Sequence, residues 1–120
     1  MELETLTQTI INALEDVKAR DIKVFNTEEL TDQFECVVIA SGTSGRQTRA
    51  LAYAVSHAVK EAGGSVIGME GDDTGEWVLV DCGQVVCHVL QPNVRDYYNL
   101  EEIWGGKELS SRLRRNALRI

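Results

Sequence analysis

Few residues of this chain have types that could do chemistry, and they gather in three places. Ser41-Gly42-Thr43-Ser44-Gly45-Arg46 follows an apolar run and precedes a helical one. Backbone N–H groups at such a helix start can cradle a phosphate. The stretch matches neither G-x-G-x-x-G nor G-x-x-x-x-G-K-[ST], and no lysine follows it. Its plainer reading is a tight strand-to-helix turn with Thr43 or Ser44 as N-cap. Asp72 and Asp73, flanked by Glu70 and Glu76, could offer hard oxygen ligands to a divalent cation. Their spacing is not that of a D-x-D-x-D-G calcium loop, and a solvated acidic turn is the ordinary alternative. Cys82, Cys87 and His88 lack zinc-ligand spacing. Neither His57 nor His88 has an evident orienting partner, so no Ser/His/Asp or Cys/His nucleophile system can be assembled.

What remains is a surface chemistry. Trp77, Tyr97, Tyr98 and Trp104 lie within one stretch, 69–104, beside polar turns. Aromatics gathered in this way are more typical of a contact surface than of an evenly packed core. Tyr97 and Tyr98 are adjacent, so on a helix they point about 100° apart and cannot both face one core. Core filling is the competing reading for Trp77 and Trp104.

The charge pattern narrows the partner. Of the 120 residues, 107–120 hold five basic side chains against Glu108, for a net +4. Residues 1–106 hold seven basic and eighteen acidic side chains, for a net −11. A body of that sign repels phosphate and attracts a basic protein. No sequence-specific nucleic-acid partner is expected, and only the basic tail would favour nucleic acid at all. No apolar run approaches the ~20 residues needed to span a bilayer. The acidic start, Met1-Glu2-Leu3-Glu4, lacks the features of a signal peptide. Three cysteines are odd in number, and Cys36 and Cys87 lie in apolar runs where thiols behave as small hydrophobes. A reduced, cytosolic protein without a cofactor or metal is expected.

The elements that must position the aromatics read as one domain. Leu6, Ile10, Leu14 and Val17 predict an amphipathic helix over 3–20, capped by Thr5 or Thr7 and ending near Lys18 and Arg20. Ile22–Asn26 alternates as a half-buried strand. Phe34–Ala40 is nearly continuous in apolar residues, as for an inner strand covered on both faces. A helix is predicted from about Ser44 to Ala62, stopped by Gly63-Gly64. Ser65–Met69 is expected as a third strand, parallel to 34–40 across a right-handed crossover. Trp77–Asp81 and Gln84–Leu90 read as an antiparallel hairpin. With Cys82-Gly83 as a two-residue turn, Trp77 pairs with His88 and shares its face. With a three-residue turn, Trp77 pairs with Val89 and His88 moves to the other face. Asp81 at the bend is placed to accept local N–H groups. Pro92 opens a helical turn to Tyr98, and Leu100–Trp104 forms a second one. The fold class is α/β (α+β), one mixed sheet of about five strands with flanking helices. Gly105-Gly106 divides a domain, 1–106, from a basic C-terminal tail, 107–120, read as loose or weakly helical.

Five segments together resemble the ribosomal silencing factor family, also called RsfS or Iojap-like. They are DIKVFN at Asp21–Asn26, VVIASGTSGR at Val37–Arg46, GSVIGMEG at Gly64–Gly71, EWVLVDCGQVVCHVL at Glu76–Leu90 and VRDYYNLEEIW at Val94–Trp104. The resemblance covers residues from about 5 to 104. It implies a nucleotidyltransferase-like fold without the paired metal-binding carboxylates of those enzymes. It implies a cytoplasmic, non-enzymatic translational repressor that binds protein fourteen of the large ribosomal subunit. Occupying that face would block the small subunit and lower translation in starved or stationary cells. The positions it carries over as partner-binding are Trp77 and Tyr98, then Asp81, His88, Tyr97 and Leu100. Three other expectations compete: a nucleotidyltransferase-like phosphotransferase using Ser41–Arg46, an RNA-binding adaptor using the tail, and a homodimer formed through the aromatic patch.

Overall fold

The computed structural model describes residues 1–104 and the backbone of Glu108 and Leu109. The elements in chain order are α1 (Leu3–Asp16), β1 (Arg20–Asn26), β2 (Cys36–Ser41), α2 (Gly45–Glu61), β3 (Gly68–Glu70), β4 (Trp77–Asp81), β5 (Val85–Leu90) and α3 (Pro92–Tyr98). A 3-10 helix, Leu100–Trp104, and a two-residue strand β6, Glu108–Leu109, follow. The strands form one mixed sheet in the order β3-β4-β5-β2-β1-β6. Among the described residues the only parallel pair is the central one, β2 with β5, and every other neighbour is antiparallel.

The centre of the sheet follows from composition. Every residue of β2 is buried, and only His88 of β5 is not. Two such apolar strands belong where both faces are covered. β3, with Gly68 and Glu70 exposed, can only serve as an edge. This corrects the expected strand over Ser65–Met69. The strand begins three residues later, and although it runs in the same direction as β2, β5 and β4 lie between them. The expected parallel direction holds, and the place beside β2 is taken by the more buried β5.

Side-chain alternation divides the core in two. On one face, α1 and α2 cover Val24, Val38, Ala40, Val78, Val80, Cys87 and Val89 with Leu6, Ile10, Leu14, Leu51 and Val55. On the other, Phe25, Val37, Ile39 and Leu90 meet Leu100, with Phe34, Trp77 and Val94 against them. β1 therefore does not alternate as a half-buried strand should, because Val24 and Phe25 are both buried, one in each core. Each fully buried Leu, Ile or Phe contributes roughly 1.5–3 kcal/mol by leaving water.

The helix ends differ from expectation in part. α1 starts at Leu3 without a side-chain cap, and the Thr7 hydroxyl donates back to the Leu3 carbonyl at 2.8 Å. It stops at Asp16, before Lys18 and Arg20, because Lys18 takes a left-handed conformation (φ 66) and turns the chain into β1. α2 is capped by Ser44, whose hydroxyl accepts the Gln47 N–H at 3.1 Å, and Gly63 at φ 90 ends it. The expected break at Gly105-Gly106 and the tail 107–120 lie outside the described residues, apart from Glu108 and Leu109, which pair with Phe25 and Val24.

The hairpin settles the register by a third route. Gly83-Gln84, not Cys82-Gly83, forms the turn, closed by Cys82 N–H to the Val85 carbonyl at 3.0 Å. The Asp81 carboxylate accepts the Gly83 N–H at 2.9 Å, and Gly83 adopts φ 83. Sliding a two-residue turn by one position moves every pairing by two residues and so preserves the faces. Trp77 pairs with Leu90 and Leu79 with His88, yet Trp77 and His88 still share the face away from α1 and α2.

Gly71 closes the β3–β4 connection at φ 83, where an added Cβ would lie 2.0 Å from the Trp77 carbonyl oxygen. Gly71→Ala should therefore destabilise the protein by roughly 2 kcal/mol through backbone strain and the clash. Urea unfolding followed by circular dichroism would measure it; an unchanged midpoint would remove the constraint assigned to Gly71.

Candidate partner-binding face

The second face of the sheet is covered only in part. α3 and the 3-10 helix close over Phe25, Ile39 and Leu90, while Trp77, Leu79, Asp81 and His88 along the β4–β5 hairpin remain half-buried. The boundary between the covered and open parts is aromatic. The Trp77 and Tyr98 rings lie 5.2 Å apart between centroids, and Tyr97 meets Tyr98 edge-on at 5.0 Å. Tyr97 is 83% exposed and Tyr98 56% exposed, so both adjacent tyrosines face outward. These rings form a ridge running from the sheet to the end of α3.

His88 belongs to the base of this ridge. The indole N–H of Trp77 donates to His88 Nδ1 at 3.0 Å, and the two rings are 5.9 Å apart. That bond requires an unprotonated Nδ1 and so assigns the ring proton of the neutral form to Nε2. Burial lowers the His88 pKa to about 4. The imidazole is thus a neutral spacer that holds the indole in place. Beside them an open hollow of about 280 Å³ is lined by Glu70, Gly71, Trp77, Leu79 and His88.

A polar anchor holds α3 in place. Arg95 is buried at 6% exposure; its Nη1 donates to the Ser41 hydroxyl at 2.9 Å and its Nε to Glu101 Oε1 at 2.5 Å. The other Glu101 oxygen meets Lys23 Nζ at 3.0 Å. Desolvation pushes the Glu101 pKa up, but hydrogen bonds and charges from Arg95 and Lys23 outweigh it, and the net shift is downward. α3, the 3-10 helix, β1 and β2 are joined through this cluster. Asn99, left-handed at φ 48, makes the joint between the two helices, a conformation that Asn tolerates well.

The residues anticipated from sequence separate accordingly. Trp77, His88, Tyr97 and Tyr98 are brought together, and Asp81 lies farther along the same face at the hairpin end. Leu100, at 8% exposure, packs under the ridge with Phe25 and Ile39. The side chain of Trp104 lies outside the described residues. Arg95 and the Glu70–Gly71 wall of the hollow were not anticipated. Arg95 and Glu101 are six residues apart in different helices, a spacing that no local rule reads; a lone basic residue in an aromatic helix was the available signal.

The other chemical candidates are used internally. The Thr43 N–H and hydroxyl both reach Gln47 Oε1 at 2.7 Å, and the Gln47 amide reaches back to the Val17 and Lys18 carbonyls. Ser41 is 2% exposed and held by Arg95, while the Thr48 hydroxyl donates to the Gly75 carbonyl. The Ser41–Arg46 loop is thereby a packed corner. In the acidic turn, Tyr53 donates to Asp72 at 3.1 Å. His57 is exposed near Glu61 at 3.6 Å. Cys36, Cys82 and Cys87 are buried, and burial pushes the Cys82 thiol up to about 11. No helix of the described residues is long and apolar enough to cross a membrane.

Fold and face together make a mixed-sheet domain that presents an aromatic ridge on an acidic body. The family profile described as "RsfS: Ribosomal silencing factor during starvation" matches residues 1–118. The ribosomal silencing factor of Chromobacterium violaceum is 48% identical over 110 residues, covering 92% of this chain and 90% of that protein. A crystal structure of a protein from the same organism superposes with a TM-score of 0.87 at 48% identity, covering 92% of each chain. A mouse protein named for mitochondrial assembly of the ribosomal large subunit is 31% identical over 98 residues, covering 79% of this chain and 43% of that protein. The chain belongs to the ribosomal silencing factor family, non-enzymatic repressors of translation in starvation.

Two outcomes test this geometry. Because folded His88 titrates near 4 against about 6.5 when free, its contribution to stability is complete above pH 6.5 and is lost as pH falls toward 4. His88→Gln should flatten the pH dependence of unfolding in that window, and the Trp77 indole ¹H–¹⁵N signal should titrate near pH 4; titration at 6.5 would contradict the pairing. Arg95→Met should cost about 3 kcal/mol by leaving Glu101 without its buried partner, read by urea denaturation. A loss under 1 kcal/mol would show that α3 is held by its apolar contacts.

Proposed function

We propose that this chain binds the large ribosomal subunit through a basic ribosomal protein, protein fourteen of that subunit, and blocks docking of the small subunit by occupying its face. The observation that carries this reading is the ridge of Trp77, Tyr98 and Tyr97, exposed on a body of net charge −11 over residues 1–106. Exposed aromatics supply affinity from a small area, and the surrounding acids steer a basic partner and disfavour bare RNA. The name of the mouse relative, with its large ribosomal subunit, supports the choice of subunit. Steric occlusion needs neither fuel nor cofactor.

Trp77, Tyr98 and Tyr97 are the contact residues in this reading, with Asp81 at the flank; His88 and Leu100 support them from beneath. The domain spans 1–106, with 107–120 as an appendage, and its sheet is related in fold to nucleotidyltransferases. The site of action is the cytoplasm, where ribosomes meet it. A homodimer formed through the ridge would compete with the ribosome.

Tyr98→Ala should weaken large-subunit binding by about 2 kcal/mol, roughly thirtyfold, with little change in thermal stability because the ring is largely exposed. Sedimentation of mixed subunits should show that the intact protein prevents their joining and that the variant no longer does at equal concentration. Unimpaired joining in the presence of the intact protein would defeat the reading.

A further inference from the structure

The acidic turn and the hollow beside Trp77 belong to one feature. In the antiparallel pairing of β3 with β4, Glu70 stands opposite Leu79, so Glu70, Leu79 and Trp77 share one face while Met69 points into the helix-covered core. His88, paired with Leu79 from the other side, completes the row. Gly71 forms part of the wall at the point where backbone approaches backbone. The hollow therefore has an apolar floor and an indole wall. Among the described residues Glu70 is the one formal charge on its rim, because burial keeps His88 neutral. Among the described residues no cation pairs with Glu70, which is exposed.

That lining suits one kind of side chain. A flat cation with an apolar stem can lay the stem on Leu79, place its face against the indole and pair its charge with the carboxylate. A guanidinium does all three best, because it is planar, weakly hydrated and forked to match a carboxylate; an ammonium brings the stem and the charge but neither the plane nor the fork. A purely apolar side chain would leave Glu70 unused, and an anion would be repelled by it. The hollow adjoins the ridge through Trp77, whose ring meets Tyr98 at 5.2 Å. One partner can therefore cover both features.

We infer that the Glu70–Trp77–Leu79–His88 hollow is a socket for an arginine side chain of the protein partner. The inference rests on the partner-binding reading above and adds to it a charge-specific site outside the ridge. The acidic turn, whose spacing is not that of a calcium loop, thereby acquires a role as the rim of a recognition pocket.

The test uses the full chain and purified large subunits. Binding is titrated at several salt concentrations for the intact protein, Glu70→Gln, Glu70→Arg and Tyr98→Ala. Glu70→Gln should weaken binding about fivefold at low salt and flatten the salt dependence, since one charge pair is lost. Glu70→Arg should weaken it further. Both substitutions are at an exposed position, and matching thermal unfolding curves would confirm that they fold. If both Glu70 variants bind within twofold of the intact protein with the same salt dependence, while Tyr98→Ala binds weakly, the socket is wrong and the ridge stands. If Glu70→Gln weakens binding but the salt dependence is unchanged, an arginine partner is excluded. If no variant differs from the intact protein, the partner-binding reading falls with the socket.

Discussion

The second face of this protein depends on a buried guanidinium. Arg95 lies in a seven-residue helix, too short to be stable alone. It donates to Ser41 at the end of the central strand β2 and to Glu101 in the following 3-10 helix, and Glu101 in turn meets Lys23 on β1. A charge removed from water in this way is tolerated only with its partners in place. The cluster therefore ties two weak helices to two strong strands, and Tyr97 and Tyr98 stand at the far end of the helix so fastened. Apolar packing of Leu100, Val94 and Phe25 adds adhesion, while the directional bonds choose one orientation.

The ridge is built from side chains that need little entropy to order. Trp77 is held on one side by Tyr98 and on the other by its bond to His88. An anchor already in its binding conformation avoids much of the ordering cost of association. This accounts for a half-buried, neutral histidine beside the indole. Its acceptor nitrogen satisfies the indole N–H, a donor that would otherwise be stranded beside the apolar sheet. The acidic body then acts at longer range, favouring a basic partner before contact is made.

Much of this was legible along the chain. The near-continuous apolar run at 34–40 identified one central strand, and the Gly83 region marked the hairpin that holds the other. Adjacency of Tyr97 and Tyr98 implied an exposed ring whatever the fold. What the chain alone left open has a physical origin in long-range competition. β5 displaced β3 from the place beside β2 because it buries more apolar surface. Leu100, carried over with the tyrosines from the resemblance, turns inward because the 3-10 helix presents it to Phe25 and Ile39.

Composition and periodicity by themselves determined the fold class, the helix and strand types, the acid–base asymmetry and the identity of the aromatic residues, because these depend on local propensity and on counting. Tertiary structure alone decided which way those residues face. A two-residue turn displaced by one position, from Cys82-Gly83 to Gly83-Gln84, rewrote every pairing of the hairpin and still left His88 beside Trp77. The Asx bond from Asp81 and the left-handed Gly83 selected that turn, and burial of Val78, Val80, Cys87 and Val89 against α1 and α2 locked its parity. The apolar face had to turn toward the helices, and the ridge, the hollow and Glu70 were left on the side that remained open.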